Sequence, residues 1–305
     1  MSSKSSGLVR MQWPTLLILL AIGFVLLWYL AGRAPGASVA VPPLSLARAV
    51  ILVVVGFLAG LLGGLIGTGG CSVMLPVIHF WMGYPAPAAV GTTLFAVTFT
   101  AISGAWGHLV RRNLDVRAVA WLGGAGTAGV VLGSWLFTLL VGQSKLLGLI
   151  LGVVFLWPAI RMTWEGLRQR RLPAREGSTI HGPGWGLALF GLVVGVATGV
   201  AGLGGGYALV PGLVYLFGAP VYITMGTSLA TMIPLAVVGG AVKLAQGFVD
   251  LGTALLLAAG TVVGAQVGAA IIKRFAPNTL KLIFGLYFLY VAVKFIATYF
   301  GVPIW

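Results

Sequence analysis

Two short glycine clusters, Gly67-Thr68-Gly69-Gly70 and Gly202-Leu203-Gly204-Gly205, interrupt long apolar runs of this 305-residue chain, and they are its first chemically suggestive feature. Glycine costs about 0.8–1 kcal/mol relative to alanine inside a helix, so each cluster predicts a broken helix. A half-helix that restarts after such a break presents free N–H groups and a partial positive charge, which favours an anion. The candidate binding residues are therefore Gly67, Thr68, Gly69, Gly70, Cys71 and Ser72 in the first cluster. In the second they are Gly202, Gly204, Gly205, Gly206 and Tyr207. A second paired motif, Gly91-Thr92-Thr93-Leu94 and Gly226-Thr227-Ser228-Leu229, adds Thr92, Thr93, Thr227 and Ser228 as hydroxyl donors. Serine and threonine in apolar helices also bond their own backbone, which is the competing reading for these four.

The rest of the chemical inventory is short. The acidic residues are Asp115, Glu165, Glu176 and Asp250, all at expected helix ends or loops. No carboxylate sits inside an apolar run, which argues against a cation carrier or a carboxylate proton relay. His79 is the one titratable group beside a glycine break. His108 and Lys243 occupy matched positions, and for these two, with Arg161 and Lys294, the expectation is a side chain that snorkels to the headgroups. No Ser/His/Asp set, paired carboxylates or metal-ligand spacing is present, so no enzyme, cofactor or metal site is expected. The single cysteine, Cys71, rules out an intrachain disulfide. Gly-Thr-Gly-Gly lacks the following Lys-Ser/Thr and the preceding strand of a nucleotide loop.

The elements that must hold these residues are membrane helices. Hydrophobic residues make up 59% of the chain and charged residues 7%, against about 25% charged in a soluble domain. The long Leu/Val/Ala/Gly runs lack period-2 alternation, which excludes a barrel. The net charge of +14 reads as loop topology rather than nucleic-acid binding, because the basic residues cluster at the ends of apolar segments and cytoplasmic loops retain Lys and Arg.

Sliding the sequence on itself by 135 positions superposes the two clusters without a gap. Gly56, Gly60, Gly64, Gly67, Gly69 and Gly70 fall on Gly191, Gly195, Gly199, Gly202, Gly204 and Gly205. From 56 to 115, 16 of 60 pairs are identical, where this composition gives roughly 6 by chance. The four-residue spacing of the first three glycines in each set predicts close helix packing. Residues 1–45 form an N-terminal segment with one extra helix, 46–164 the first repeat, 165–184 a basic linker and 185–305 the second repeat. The extra helix, Pro14 to Ala31, is longer than the apolar core of a signal peptide and is expected to be retained.

The basic loops shift between repeats. Arg111, Arg112 and Arg117 flank one loop of the first half, whereas Lys273, Arg274 and Lys281 lie one helix later in the second. Inverted repeats account for this, with the N-terminus and linker cytoplasmic and the C-terminus outside. Seven crossings result if the paired segments at each repeat head enter and leave by one face, and eleven if both members cross.

The glycine-broken heads, the proline beyond each, the Gly-Thr-Thr/Ser-Leu motif and the pattern Gly264-Ala265-Gln266-Val267-Gly268 with Lys273, Leu280 and Lys281 resemble the sulfite exporter TauE/SafE family of membrane anion permeases. The resemblance covers about Ala47 to Phe300. It implies proton-coupled secondary transport of small sulfur-containing anions, such as sulfite or the organosulfonate sulfoacetate, across a cell inner membrane. Small anions, protons and lipid are then the partners. An anion channel and a non-transporting membrane assembly subunit are the alternatives. Two departures from the family pattern are the extra helix and Cys71, which stands where the second half has Gly206.

Overall fold

The computed structural model describes residues 3–30, 41–168, 179–271 and 277–302, and these are helical with no strand among them. The helices are α1 (Ser3–Leu30), α2 (Leu46–Ile66), α3 (Cys71–Pro76), α4 (Ala86–Val110), α5 (Val116–Leu140) and α6 (Ser144–Leu167), then α7 (Gly184–Ala201), α8 (Gly206–Leu216), α9 (Val221–Ala245), α10 (Leu251–Ile271) and α11 (Pro277–Tyr299). Seven of them, α2, α4, α5, α6, α7, α9 and α10, are long and apolar enough to cross a bilayer. The protein is an all-α polytopic membrane protein. The basic residues Arg170, Arg171, Arg175, Lys273 and Arg274, on which the orientation expectation leans, lie outside the described residues.

Both expected breaks form. α2 ends on Gly67 in the left-handed conformation, its N–H closing on the carbonyl of Gly63, and α7 ends the same way on Gly202 and Thr198. The helices that restart are short. α3 continues through Pro76, which has no N–H to offer the preceding turn, into a π-helical stretch Val77–Trp81. α8 has 11 residues, about 16 Å of rise, half a hydrocarbon core.

The halves are built around each other. α2 packs on α10 and α7 packs on α5, so the first helix of each repeat lies against the fourth helix of the other, while α4 pairs with α9 and α6 with α11. Glycines set these contacts. A methyl group on Gly60 would meet Thr261 Cα at 2.5 Å, and one on Gly195 would meet Gly126 Cα at 2.9 Å. Gly56 and Gly64 lie equally close to the backbone of Leu257 and Ala265, and Gly191 and Gly199 to that of Leu122 and Val130. All six glycines are therefore packing glycines, and the contacts correspond at the same 135-residue offset. The last turn of α6 extends through Glu165 to Leu167. Glu165 closes an i,i+4 ion pair with Arg161 at 3.1 Å.

Candidate functional site

The two breaks meet at the centre of the bundle. A methyl group on Gly206 would sit 2.6 Å from Thr68 Cα, which places the start of α8 against the first glycine cluster. The Cys71 thiol, at the start of α3, donates to the carbonyl of Gly202 at 3.1 Å and to that of Thr93 at 3.6 Å. Gly69 and Gly204 both face the Met232 methyl and the Val97 side chain. Val97 and Met232 are themselves a matched pair, so an apolar plug divides the two breaks symmetrically.

Among the candidate residues Gly67, Gly69, Gly70, Gly202, Gly204 and Gly205 all have positive φ, between 67° and 85°. Thr68, Cys71, Ser72, Gly206 and Tyr207 are buried beside them. The Tyr207 hydroxyl makes no hydrogen bond.

The Gly-Thr motifs are placed one layer out from the breaks, and their hydroxyls are engaged with protein. Thr93 donates to Ala89 O at 2.7 Å, within its own helix. Ser228 donates to Gly67 O at 2.8 Å and so holds the first break from the second repeat. Thr92 Oγ1 accepts from the N–H of Asp250, and Thr227 Oγ1 from the N–H of Asp115, each at 3.0 Å. These two bonds match across the repeats and tie each half to the first residue before the other's fourth helix. Asp115 caps α5 through Ala118 N at 3.1 Å and also accepts from Ile180 N at 2.6 Å. Asp250 accepts from Gly252 N at 3.2 Å and from the Tyr84 hydroxyl at 2.8 Å.

The basic side chains divide. Arg161 and Lys294 are partly exposed near helix ends, as a snorkelling side chain should be. His108 and Lys243 are not: both are wholly buried, because α4 and α9 run through the middle of the bundle and neighbouring helices cover them. His108 Nε2 lies 3.1 Å from Gly64 O. Lys243 Nζ makes no hydrogen bond and sits 3.0 Å from the centre of the Phe137 ring. His79 Nδ1 lies 2.7 Å from Tyr84 O, with its ring stacked on Phe295. Among the described residues, no three His, Cys, Asp or Glu side chains gather in a way that could hold a metal.

Comparison with known proteins decides the family. The sulfite exporter TauE/SafE family matches residues 51–295. The chain belongs to that family. It is 29% identical over 231 residues to the probable membrane transporter protein YdhB of Bacillus subtilis, covering 76% of this chain and 93% of that one. It is 26% identical to YunE of the same organism, over 77% and 92% of the two chains. A probable membrane transporter protein of Methanocaldococcus jannaschii is 25% identical over 76% and 89%. No solved structure matches. The family and these relatives are named as membrane transporters, not enzymes, and the TauE/SafE chain described above is a membrane transporter.

Sequence reasoning missed Thr198 and Ser134, both wholly buried with hydroxyls that have no partner. The available signal was the repeat comparison, in which Thr198 stands opposite Gly63 and Ser134 opposite Ala269.

Proposed function

We propose that this transporter moves a small sulfur oxyanion, sulfite or an organosulfonate such as sulfoacetate, by alternating access around the paired breaks of its two repeats. The observation that carries the reading is the meeting of the breaks: Gly206 lies against Gly67 and Thr68, and Cys71 is bonded to Gly202 across the repeat boundary. Two restarted helices then aim unpaired N–H groups at one buried region, and irregular backbone at membrane depth is tolerated where it is enclosed by protein or lines a cavity. The substrate region comprises Gly67 to Ser72 and Gly202 with Gly204 to Tyr207, and the hydroxyls of Thr92, Thr93, Thr227 and Ser228 become donors when the engaged bonds rearrange during the cycle.

The repeats are inverted in the membrane. The exchange of partners, α2 on α10 and α7 on α5, supports this reading, as does the half-length of α8 and of the segment Cys71–Trp81. With each head pair entering and leaving by one face, the full crossings are α1, α4, α5, α6, α9, α10 and α11, seven in all, with the N-terminus in the cytoplasm and the C-terminus outside. Reporter fusions at Arg175 and Trp305 that fall on the same side of the inner membrane sink this topology.

Coupling is substrate-borne. A site built from N–H and hydroxyl donors takes up one protonation form of the anion and releases the other, with His79, His108 and His181 dispensable. The test is uptake of radiolabelled sulfite, sulfate, thiosulfate and sulfoacetate into proteoliposomes, with and without a pH gradient, by the wild type and a variant lacking all three histidines. Gradient-dependent flux in both supports the proposal. Large conductance without counter-transport identifies a channel, and no flux of any of the four anions leaves a non-transporting subunit. Flux that loses its gradient response only in the histidine-free variant moves the proton to a histidine.

A further inference from the structure

We infer that Thr198, at the amino-terminal end of α8, and Ser134 and Lys243, on the helices packed beside it, form an oxyanion subsite in which Lys243 supplies the counter-charge; this rests on the anion-carrier reading above and assigns its charged contact. All three side chains are wholly buried and none has a hydrogen-bond partner. A buried helical threonine ordinarily donates to the carbonyl four residues back, as Thr93 does to Ala89 and Thr224 to Pro220. Thr198 does not, and its Oγ1 lies 2.9 Å from where a side chain on Gly205 would begin. Gly205 is the residue that caps α8.

The helices bring the other two groups to the same level. Gly199, next to Thr198 on α7, is packed on the backbone of Val130 and Ser134 in α5. Gly239 on α9 packs on Val130, one turn before Lys243, just as Ser134 lies one turn beyond Val130. Phe137, one further turn along α5, carries the Lys243 ammonium on its ring and is itself held edge-on by Phe248. The aromatic face compensates part of the amine's desolvation and leaves its three N–H groups unpaired.

Among the described residues no carboxylate is hydrogen-bonded to Lys243. Asp115 is bonded to Ala118 and Ile180, Asp250 to Tyr84 and Gly252, and Glu165 to Arg161 and Tyr215. A buried amine without a partner is costly, and a mobile anion is the partner that removes the cost. The donor set suits a tetrahedral or pyramidal oxyanion: one ammonium, two hydroxyls and the first N–H groups of α8, with no acceptor required. The matched place in the first repeat has Gly63, Ala269 and His108, and His108 is already bonded to Gly64 O. The subsite is therefore one-sided.

The experiment compares wild type with Lys243→Met, Thr198→Val and Ser134→Ala, by uptake of the four anions into proteoliposomes and by thermal unfolding in detergent with and without added sulfite or sulfate. Lys243→Met is expected to lower uptake roughly 10–100-fold, the equivalent of one charge-assisted hydrogen bond, while its unfolding temperature without anion stays level or rises. Each hydroxyl variant is expected to raise KM about fivefold with little change in maximal rate. Wild-type flux that persists with unchanged KM in Lys243→Met overturns the subsite and leaves the carrier standing. If the wild type moves none of the four anions, the carrier reading fails for them. The subsite then stands only if sulfite or sulfate raises the unfolding temperature of wild type and not of Lys243→Met. Should Lys243→Met fail to fold, the hydroxyl variants decide, and an unchanged KM in both overturns the assignment.

Discussion

The two repeat heads have the same backbone and different polar side chains. At matched positions the left-handed glycines agree: Gly67, Gly69 and Gly70 have φ of 80°, 72° and 76°, and Gly202, Gly204 and Gly205 have 67°, 69° and 85°. The capping bonds agree as well, from Gly67 N to Gly63 O and from Gly202 N to Thr198 O, each 2.8 Å. Around that shared frame the first head holds Thr68, Cys71 and, nearby, His108, of which Cys71 and His108 are bonded to backbone carbonyls. The second holds Thr198, Tyr207 and Lys243, none of which is hydrogen-bonded through its side chain. Shape is duplicated because two half-helices must start at one place. Polar identity is free to diverge, and it has left one head as a latch and the other as the end with unspent donors.

The strongest way to break the equivalence of shape is at the helix crossings. Gly60→Leu and Gly195→Leu each drive a side chain into backbone that cannot retreat, Thr261 in one case and Gly126 in the other. Overpacking of this kind costs roughly 3 kcal/mol or more, so both variants are expected to lose folded, monodisperse protein in detergent. The losses should be equal. A variant tolerated in one repeat and not in the other would show that the α2–α10 and α5–α7 contacts carry different weights.

A smaller effect is expected inside the breaks. Gly69→Val and Gly204→Val place a β-branched residue at φ of 72° and 69°, a strain of about 1–3 kcal/mol. What the new side chain meets is the flexible end of Met232 and the Val97 side chain rather than backbone, so the proteins still insert and fold. Uptake is expected to fall by at least about tenfold, because the strained loop no longer presents its N–H groups to the anion. Wild-type uptake in both variants returns these glycines to a packing role.

How much of this was legible in the sequence follows from which contacts are local. Gly67 and Gly202 could be read as helix ends because a glycine cluster in an apolar run has few other uses, and Asp115 as lying at a helix end or loop because it stands between apolar runs, whereas its capping bond to Ala118 N came only from the structure. The packing role of Gly56, Gly60 and Gly64 was legible from spacing alone. Their partners were not, since a repeat can pack on itself or on its twin with the same pattern, and here α2 takes the twin's α10. The environment of Lys243 was hidden for the same reason: near the end of α9 a lysine can reach the headgroups unless another helix covers it, and the cover comes from Phe137, more than a hundred residues earlier. The cross-repeat bonds that Thr92 and Thr227 accept from Asp250 and Asp115 were not legible, since their partners lie in the other repeat, and they leave each O–H free to donate.

Those two threonines give a third test. Thr92→Val and Thr227→Val each leave a buried backbone N–H without its acceptor, at a cost of about 1–3 kcal/mol. Both should lower the unfolding temperature by similar amounts. If the hydroxyls serve only as cross-repeat ties, KM for the transported anion is unchanged. A rise in KM with only one of the two variants would place substrate on that side during the cycle.

The smallest expected effect belongs to Cys71, the one position where the latch of the first head can be converted into its counterpart. Cys71→Gly installs the residue found at Gly206, deletes the thiol bond to Gly202 O and leaves a small void at a wholly buried site. A weak S–H donor and one side-chain carbon with its sulfur are lost, worth roughly 1–2 kcal/mol together with the added freedom of glycine at a helix start. Cys71→Ser keeps a donor within reach of the same carbonyl and should cost less than Cys71→Gly. The thiol is spent on protein carbonyls and the first head offers the anion its backbone N–H groups, so Cys71→Ser is expected to keep uptake within about twofold of wild type, and Cys71→Gly, which loosens the start of α3, to lower it more. Thiol-directed maleimide should leave the folded wild type unmodified until the protein is denatured, because the sulfur is enclosed. A Cys71→Ser variant that folds normally and yet loses uptake would place the thiol itself against the anion. Both heads would then give the substrate a side-chain contact, and the division between latch and donor end would be wrong.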